Sequence, residues 1–174
     1  KVIGNVFLSA SQMSYLGPIT GQYREPILAD WIKQSLASGI QLSGNYSLLA
    51  TLGDPVEIRE WGICGLPSDA VSIENAIFTT KSQRVPMLID PQFQGNGWLK
   101  KMFRRNPAQQ FAVEKVGRKD EEGGKRGRSF QATLENAVRF GHVLLLEDMS
   151  EELDPSVDQI VSKATYLENG VPKI

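Results

Sequence analysis

Three short apolar runs in the second half of the chain constrain its fold more than any other feature. They are residues 85–89 (VPMLI), 111–116 (FAVEKV) and 142–146 (HVLLL). Between them the apolar residues change spacing. Trp98, Leu99, Met102 and Phe103 recur at helical intervals, and so do Phe130, Leu134, Ala137 and Val138. Runs of about five residues bounded by turn signals suit buried strands, and the longer 3.6-period stretches suit crossover helices. Successive parallel strands need a crossover long enough to hold a helix. The pattern therefore predicts an α/β segment, a parallel sheet flanked by helices. Asp154-Pro155 predicts the start of a last helix, with Val157, Ile160, Val161 and Ala164 on one face.

The first half reads differently. Residues 2–16 place Ile3, Val6, Phe7, Ala10 and Met13 at helical spacing, and Gly17-Pro18 stops the run. A helix over 23–38 would bury Leu28, Trp31, Ile32 and Leu36, with Pro26 in its first turn. Residues 47–52 make a short helical turn. Asp54-Pro55-Val56-Glu57 combines a cap, a proline at the first helical position and an acid at the third, so a helix is expected through Trp61 and ended by Gly62. A further helix is expected over 72–80, with Ile73 and Ile77 one turn apart.

Composition excludes several classes of function. The formal net charge is −1, which supplies no general attraction to nucleic acid or anionic lipid. No apolar stretch is long enough to span a bilayer. A single cysteine, Cys64, and a single histidine, His142, exclude an intrachain disulfide and a zinc site built on several such ligands. A reducing compartment fits this usage.

Residues 85–98 (VPMLIDPQFQGNGW) have the strand–loop–helix layout of a phosphate-binding loop, with the helix expected to begin near Trp98. A working loop ends in Gly-Lys-Ser/Thr: the lysine reaches the β- and γ-phosphates and the hydroxyl binds Mg²⁺. Here the loop ends in Gly95-Asn96-Gly97-Trp98, and both groups are missing. Backbone amides at a helix start hold anions without a lysine. Even so, an indole at the position of the hydroxyl favours a packed turn over a nucleotide site. The second element, residues 143–148 (VLLLED), ends in Glu147-Asp148 and resembles the metal-and-water strand of a P-loop ATPase with its two acids in reversed order. No catalytic residue and no metal site follow from these positions. His142 lacks a nucleophile and an orienting acid in any recognisable pattern, and Cys64 is expected to be a buried, inert thiol. Residues 117–129 (GRKDEEGGKRGRS) carry no apolar side chain and are expected to form a mobile surface loop, with Ser129 capping the helix that follows.

Five ordered stretches together resemble the dynein heavy chain: 14–24 (SYLGPITGQYR), 52–77 (LGDPVEIREWGICGLPSDAVSIENAI), 85–102 (VPMLIDPQFQGNGWLKKM), 133–141 (TLENAVRFG) and 144–155 (LLLEDMSEELDP). The wording of 14–24 and 52–69 is similar to axonemal forms. The resemblance implies that residues 1–64 are a helical segment, comprising the end of the returning stalk helix and the close of the fourth AAA+ module. It implies that residues 65–174 are part of the large subdomain of the fifth module, a P-loop NTPase-like α/β fold. That module is structural in the family and relays force around an ATP-driven, microtubule-based motor ring. The chain is then expected to be a fragment with an unpaired sheet edge, since two further strands of such a subdomain are missing.

The degenerate pocket implied by the resemblance comprises Gly95, Asn96, Gly97, Trp98, Glu147 and Asp148. The family commonly has a lysine where Gly97 stands. No cofactor is expected on this segment, with ATP and Mg²⁺ at other modules of the parent. The implied partners are neighbouring AAA+ modules, the microtubule through the parent's stalk, and other dynein-arm subunits, with no nucleic acid and no membrane. The implied location is cytoplasmic, on the cytoskeleton of a cilium or flagellum axoneme. Two alternatives stand beside this reading: a nucleotide-binding regulatory AAA+ module, and a stand-alone α/β binding module.

Overall fold

The computed structural model describes residues 1–116, 125–151, 153–163, 165–168 and 171–173. By packing, the chain divides into two compact units, Lys1–Lys101 and Met102–Ile174.

The first unit is helical. It holds α1 (Val2–Tyr15), α2 (Gly21–Ala37), α3 (Leu48–Leu52), α4 (Pro55–Ile63), α5 (Ala70–Lys81) and most of α6 (Gln94–Arg104). Each cap has a local cause. Ser47 starts α3 by accepting from the Ala50 amide at 3.2 Å, and Asp54 starts α4 by accepting from Val56 at 2.7 Å. Asp69 caps α5, which begins at Ala70, two residues before the expected Ser72; it accepts from the Ser72 amide at 2.9 Å and from the Ser72 hydroxyl at 2.6 Å. Helix α4 runs two residues past the expected Trp61. Its end is set by Gly65 at φ 95°, a left-handed conformation that glycine adopts without penalty. Pro26 lies in the second turn of α2, not the first, because the helix begins at Gly21.

Leu8, Leu16, Leu42, Leu48, Trp61, Ala76, Ile77, Trp98 and Leu99 form the core of this unit. Helix α3 packs against both α1 and α5. The buried face of α1 is not the one its apolar spacing predicts. Ile3 is 85% exposed, and Val6 and Phe7 are about half exposed, while Gly4, Leu8, Ser9 and Gln12 are buried. Polar contacts explain the choice. Asn5 donates to the Ser43 hydroxyl at 2.9 Å and accepts from the Ser43 amide at 3.1 Å. The Tyr46 hydroxyl donates to Gln12 Oε1 at 2.6 Å and lies 3.0 Å from the Ser9 hydroxyl. A Cβ at Gly4 would sit 2.3 Å from the Gln41 carbonyl oxygen, so only glycine admits this approach. In α2 likewise Arg24 and Ser35 are the buried residues, while Leu36 is exposed.

The second unit is α/β. Strand β1 (Phe111–Lys115) pairs in parallel with β2 (Val143–Glu147), with Phe111 opposite Val143 and Lys115 opposite Glu147. The crossover is α7 (Lys125–Phe140), which packs on β2 and buries Leu134 and Ala137. Thr133 on α7 donates to Glu114 on β1 at 3.0 Å. The chain leaves α7 through Gly141 at φ 68°, and the backbone amide of His142 donates to the Ala137 carbonyl at 2.9 Å. Helix α8 (Pro155–Val161) starts at Asp154 as expected and buries Val157. A short antiparallel pair follows, β3 (Tyr166–Glu168) with β4 (Val171–Lys173), which the helical reading of the C-terminal segment did not foresee.

Two further expectations are corrected. Residues 85–89 form no strand: they run without regular structure, with Met87 80% and Ile89 90% exposed. An apolar run becomes a strand only where another backbone completes its hydrogen bonds. The loop expected over 117–129 is helical from Lys125, so Ser129 lies inside α7 and does not cap it. Residues 117–124 lie outside the described residues.

Candidate functional site

The loop at residues 90–98 is organised by Asp90. One carboxylate oxygen accepts from the Gln94 amide at 3.0 Å and the other from the Asn96 amide at 2.7 Å. The Asp90 carbonyl accepts from the Phe93 amide at 3.2 Å, closing a turn. These bonds nucleate α6 at Gln94, four residues earlier than the expected start near Trp98, so Gly95, Asn96 and Gly97 are helical. The first turn of a helix carries amides without helical partners and a partial positive charge. A carboxylate satisfies both, and an incoming phosphate would meet the same amides. Gly95 lets the carboxylate approach: a Cβ there would lie 3.4 Å from Asp90 Oδ2 and 3.1 Å from a Leu88 methyl carbon.

Trp98 points inward. It is 2% exposed and meets Trp61 of α4 edge to face, with centroids 5.9 Å apart at 77°. Offset and edge-on aromatic pairs add roughly 0.5–1.5 kcal/mol to the burial of their area. The indole N–H is buried without a hydrogen-bond partner among the described residues. Trp98 is thus a packing residue that joins α6 to α4. Among the described residues, a Cβ at Gly97 would meet nothing within 4 Å apart from its own chain neighbours and helix backbone.

Glu147 and Asp148 lie in the second unit. Glu147 ends β2, and its carbonyl accepts from the Val116 amide at 2.9 Å. Asp148 turns the chain at φ 53° and pairs with Lys115 at 3.4 Å, an exposed contact of little net stability. The six residues of the expected pocket thus fall in two separate units, four on α6 and two at the end of β2. His142 is half-buried and stacks on Phe140 at 5.7 Å, and Cys64 is a buried thiol, 4% exposed. Among the described residues, no group of three or more His, Cys, Asp or Glu side chains could hold a metal ion, and no helix is long and apolar enough to cross a membrane.

The role of Asp90 is not read from the sequence. Asp54 and Asp154 are caps directly before their helices, whereas Asp90 lies four residues ahead of α6 and reaches its amides across the loop.

The family described as the ATP-binding dynein motor region matches residues 59–174. The chain belongs to the dynein heavy chain family. It is 39% identical over 170 residues to dynein axonemal heavy chain 1 of Homo sapiens, covering 98% of this chain. It is also 39% identical over 171 residues to dynein axonemal heavy chain 3 of Mus musculus, and 36% identical over 170 residues to dynein axonemal heavy chain 6 of Homo sapiens, again over 98% of this chain. The chain spans about 4% of the length of each of these relatives. It is thus one segment of a dynein motor, with mixed helix and strand and a small parallel sheet compatible with an AAA+ fold.

Proposed function

We propose that this dynein segment is a structural, force-relaying part of the motor ring, built around a nucleotide-type loop that neither holds nor hydrolyses ATP. The observation that carries the reading is the carboxylate of Asp90 on the first amides of α6. An internal anion already bonded there opposes a phosphate by charge as well as by occupancy. Burial of Trp98 against Trp61 supports the same reading, because the residue at the metal position serves packing. Residues 1–64 would be the end of the returning stalk helix and the close of the fourth AAA+ module, and residues 65–174 part of the fifth. In this role the segment needs no cofactor of its own; ATP and Mg²⁺ act at other modules. Its partners are neighbouring AAA+ modules, the microtubule through the parent's stalk, and other dynein-arm subunits. Similarity to the axonemal chains supports a place in a cilium or flagellum.

A fluorescent ATP analogue titrated onto the purified chain tests this. No saturable, Mg²⁺-dependent binding is expected in the micromolar range, and such binding would overturn the proposal. The double variant Gly97→Lys with Trp98→Thr is expected to release no phosphate from ATP, since a lysine and a hydroxyl do not remove Asp90 from the amides.

A further inference from the structure

The first unit buries a charge well away in sequence from the loop at 90–98. Arg24, in the first turns of α2, is 6% exposed. Its guanidinium has partners on two sides. Toward the turn that follows α1, Nε donates to the Ile19 carbonyl at 2.8 Å and Nη2 to the Gly17 carbonyl at 3.2 Å. Toward α5, Nη2 donates to Asn75 Oδ1 at 2.8 Å, Nη1 lies 3.4 Å from Glu74 Oε2, and the group sits 5.1 Å over the Phe78 ring. A second contact brings the same two helices together. A Cβ at Gly21 would lie 2.8 Å from a Val71 methyl carbon, so the start of α2 reaches α5 only because residue 21 is glycine.

We infer that Arg24 is a positioning residue that couples the end of α1 to α5. A planar, permanently charged fork fixes several acceptors in relation to one another; a lysine ammonium offers three donors from one point and cannot span both sides. Its charge is desolvated, and the acid nearest to it stands at the long distance of 3.4 Å. The turn carbonyls, the Asn75 amide and the Phe78 ring therefore complete its solvation, and moving any of them carries a cost. The turn cannot shift relative to α5 without breaking hydrogen bonds to a buried cation. Helix α1 is joined to the turn through buried Leu16, whose amide donates to the Gln12 carbonyl at 2.9 Å. Displacement of α1 thus reaches α5 through the guanidinium, beside the apolar route through α3.

The test is a coupling measurement in the full heavy chain that carries this segment. Tyr46→Phe removes the hydroxyl that joins Ser9 and Gln12 and loosens α1 while leaving the hydrogen-bond acceptors of Arg24 in place. In the Arg24 background it is expected to speed hydrogen exchange of the α5 amides at residues 76–81 by roughly fivefold, the low end of ordinary coupling between sites. In Arg24→Gln it is expected to add nothing. Asn75→Leu should abolish the effect as well, whereas Asn75→Asp, which keeps the acceptor, should retain it. An equal effect of Tyr46→Phe in both Arg24 backgrounds would overturn the inference, because α3 would then carry the coupling. A purely local role predicts that outcome even if Arg24→Gln lowers stability.

Use of this tie by the motor rests on the relay reading and has its own readout, the ratio of microtubule-stimulated to basal ATP turnover. That ratio is expected to fall in Arg24→Gln with basal turnover kept. Lost exchange coupling sinks the inference whatever the motor does. Intact coupling with an unchanged ratio supports the tie and counts against the relay.

Discussion

At the scale of single residues, Trp98 and Phe93 are opposite cases in the loop at 90–98, one buried and one exposed. Trp98 fills the space between α6 and α4, so truncation leaves a cavity that the two helices cannot close without losing Trp61 as a neighbour. Trp98→Ala is expected to destabilise the first unit by about 3–5 kcal/mol. Trp98→Phe should cost less, because it keeps an edge-to-face partner and removes an N–H that finds no acceptor among the described residues. Urea unfolding followed by circular dichroism would rank the two, and an alanine variant as stable as the phenylalanine variant would refute the packing role. Phe93 is the opposite case. It holds φ 58° with its side chain 71% exposed, so the chain accepts backbone strain there with little burial in return. The left-handed conformation costs a bulky L-residue about 1 kcal/mol. Phe93→Gly is expected to raise stability by up to about 1 kcal/mol, the entropy of glycine in the unfolded chain offsetting part of the gain. A loss of stability would mean that the ring has a contact outweighing the strain.

At the scale of elements, caps were the most legible signal and burial faces the least. Asp54-Pro55 and Asp154-Pro155 mark α4 and α8 because a cap acts within three residues of itself. The parallel pair of β1 and β2 is legible because apolar runs and a helical crossover are local patterns too. The inner face of α1 is not. It is chosen by Ser43 and Tyr46, residues more than 30 positions away, and by the close approach at Gly4. Polar contacts there outweigh the apolar stripe of Ile3 and Val6. Loop geometry at 90–98 was legible in outline, but the role of Asp90 depended on which amides its two oxygens reach. Residues 85–89 look like a strand by composition, yet no composition supplies the missing neighbour.

The cap of α5 carries a pH dependence. The Ser72 hydroxyl and then the Ser72 amide hold the Asp69 carboxyl below its ordinary value of 3.8, and Ser156 does the same for Asp154 at the start of α8. A carboxyl whose folded value is depressed stabilises the fold above its unfolded pKa, and that contribution fades as pH falls through the folded value. Asp69→Ala is expected to cost ~1 kcal/mol at neutral pH. The gap between wild type and Asp69→Ala should therefore narrow as pH drops from about 6 to about 3. Denaturant titrations at the two pH values would show it, and a gap that stays constant would remove the ionised carboxylate as its source.

For the whole molecule, the exposed run before α6 sets the chain's behaviour in isolation. Met87 and Ile89 are 80% and 90% exposed, with Val85 more than half exposed beside them. An extended apolar segment whose backbone groups lack a ladder is a template for pairing with another chain. Two parallel strands form a very small sheet, and parallel sheets occur almost only where both faces are covered. The chain alone is expected to bind a hydrophobic dye and to associate as its concentration rises. Ile89→Lys places a charge on a position that is 90% exposed and should suppress association without lowering the stability of the first unit, since the side chain it replaces is almost fully solvated. In a longer piece of the same heavy chain, a neighbouring strand laid against residues 85–89 would bury position 89, and the same lysine should then destabilise. Light scattering on the short chain and thermal melting of the longer piece read the two effects separately. Opposite signs in the two settings identify the run as a strand awaiting its neighbour. A lysine that changes neither leaves it an ordinary surface loop.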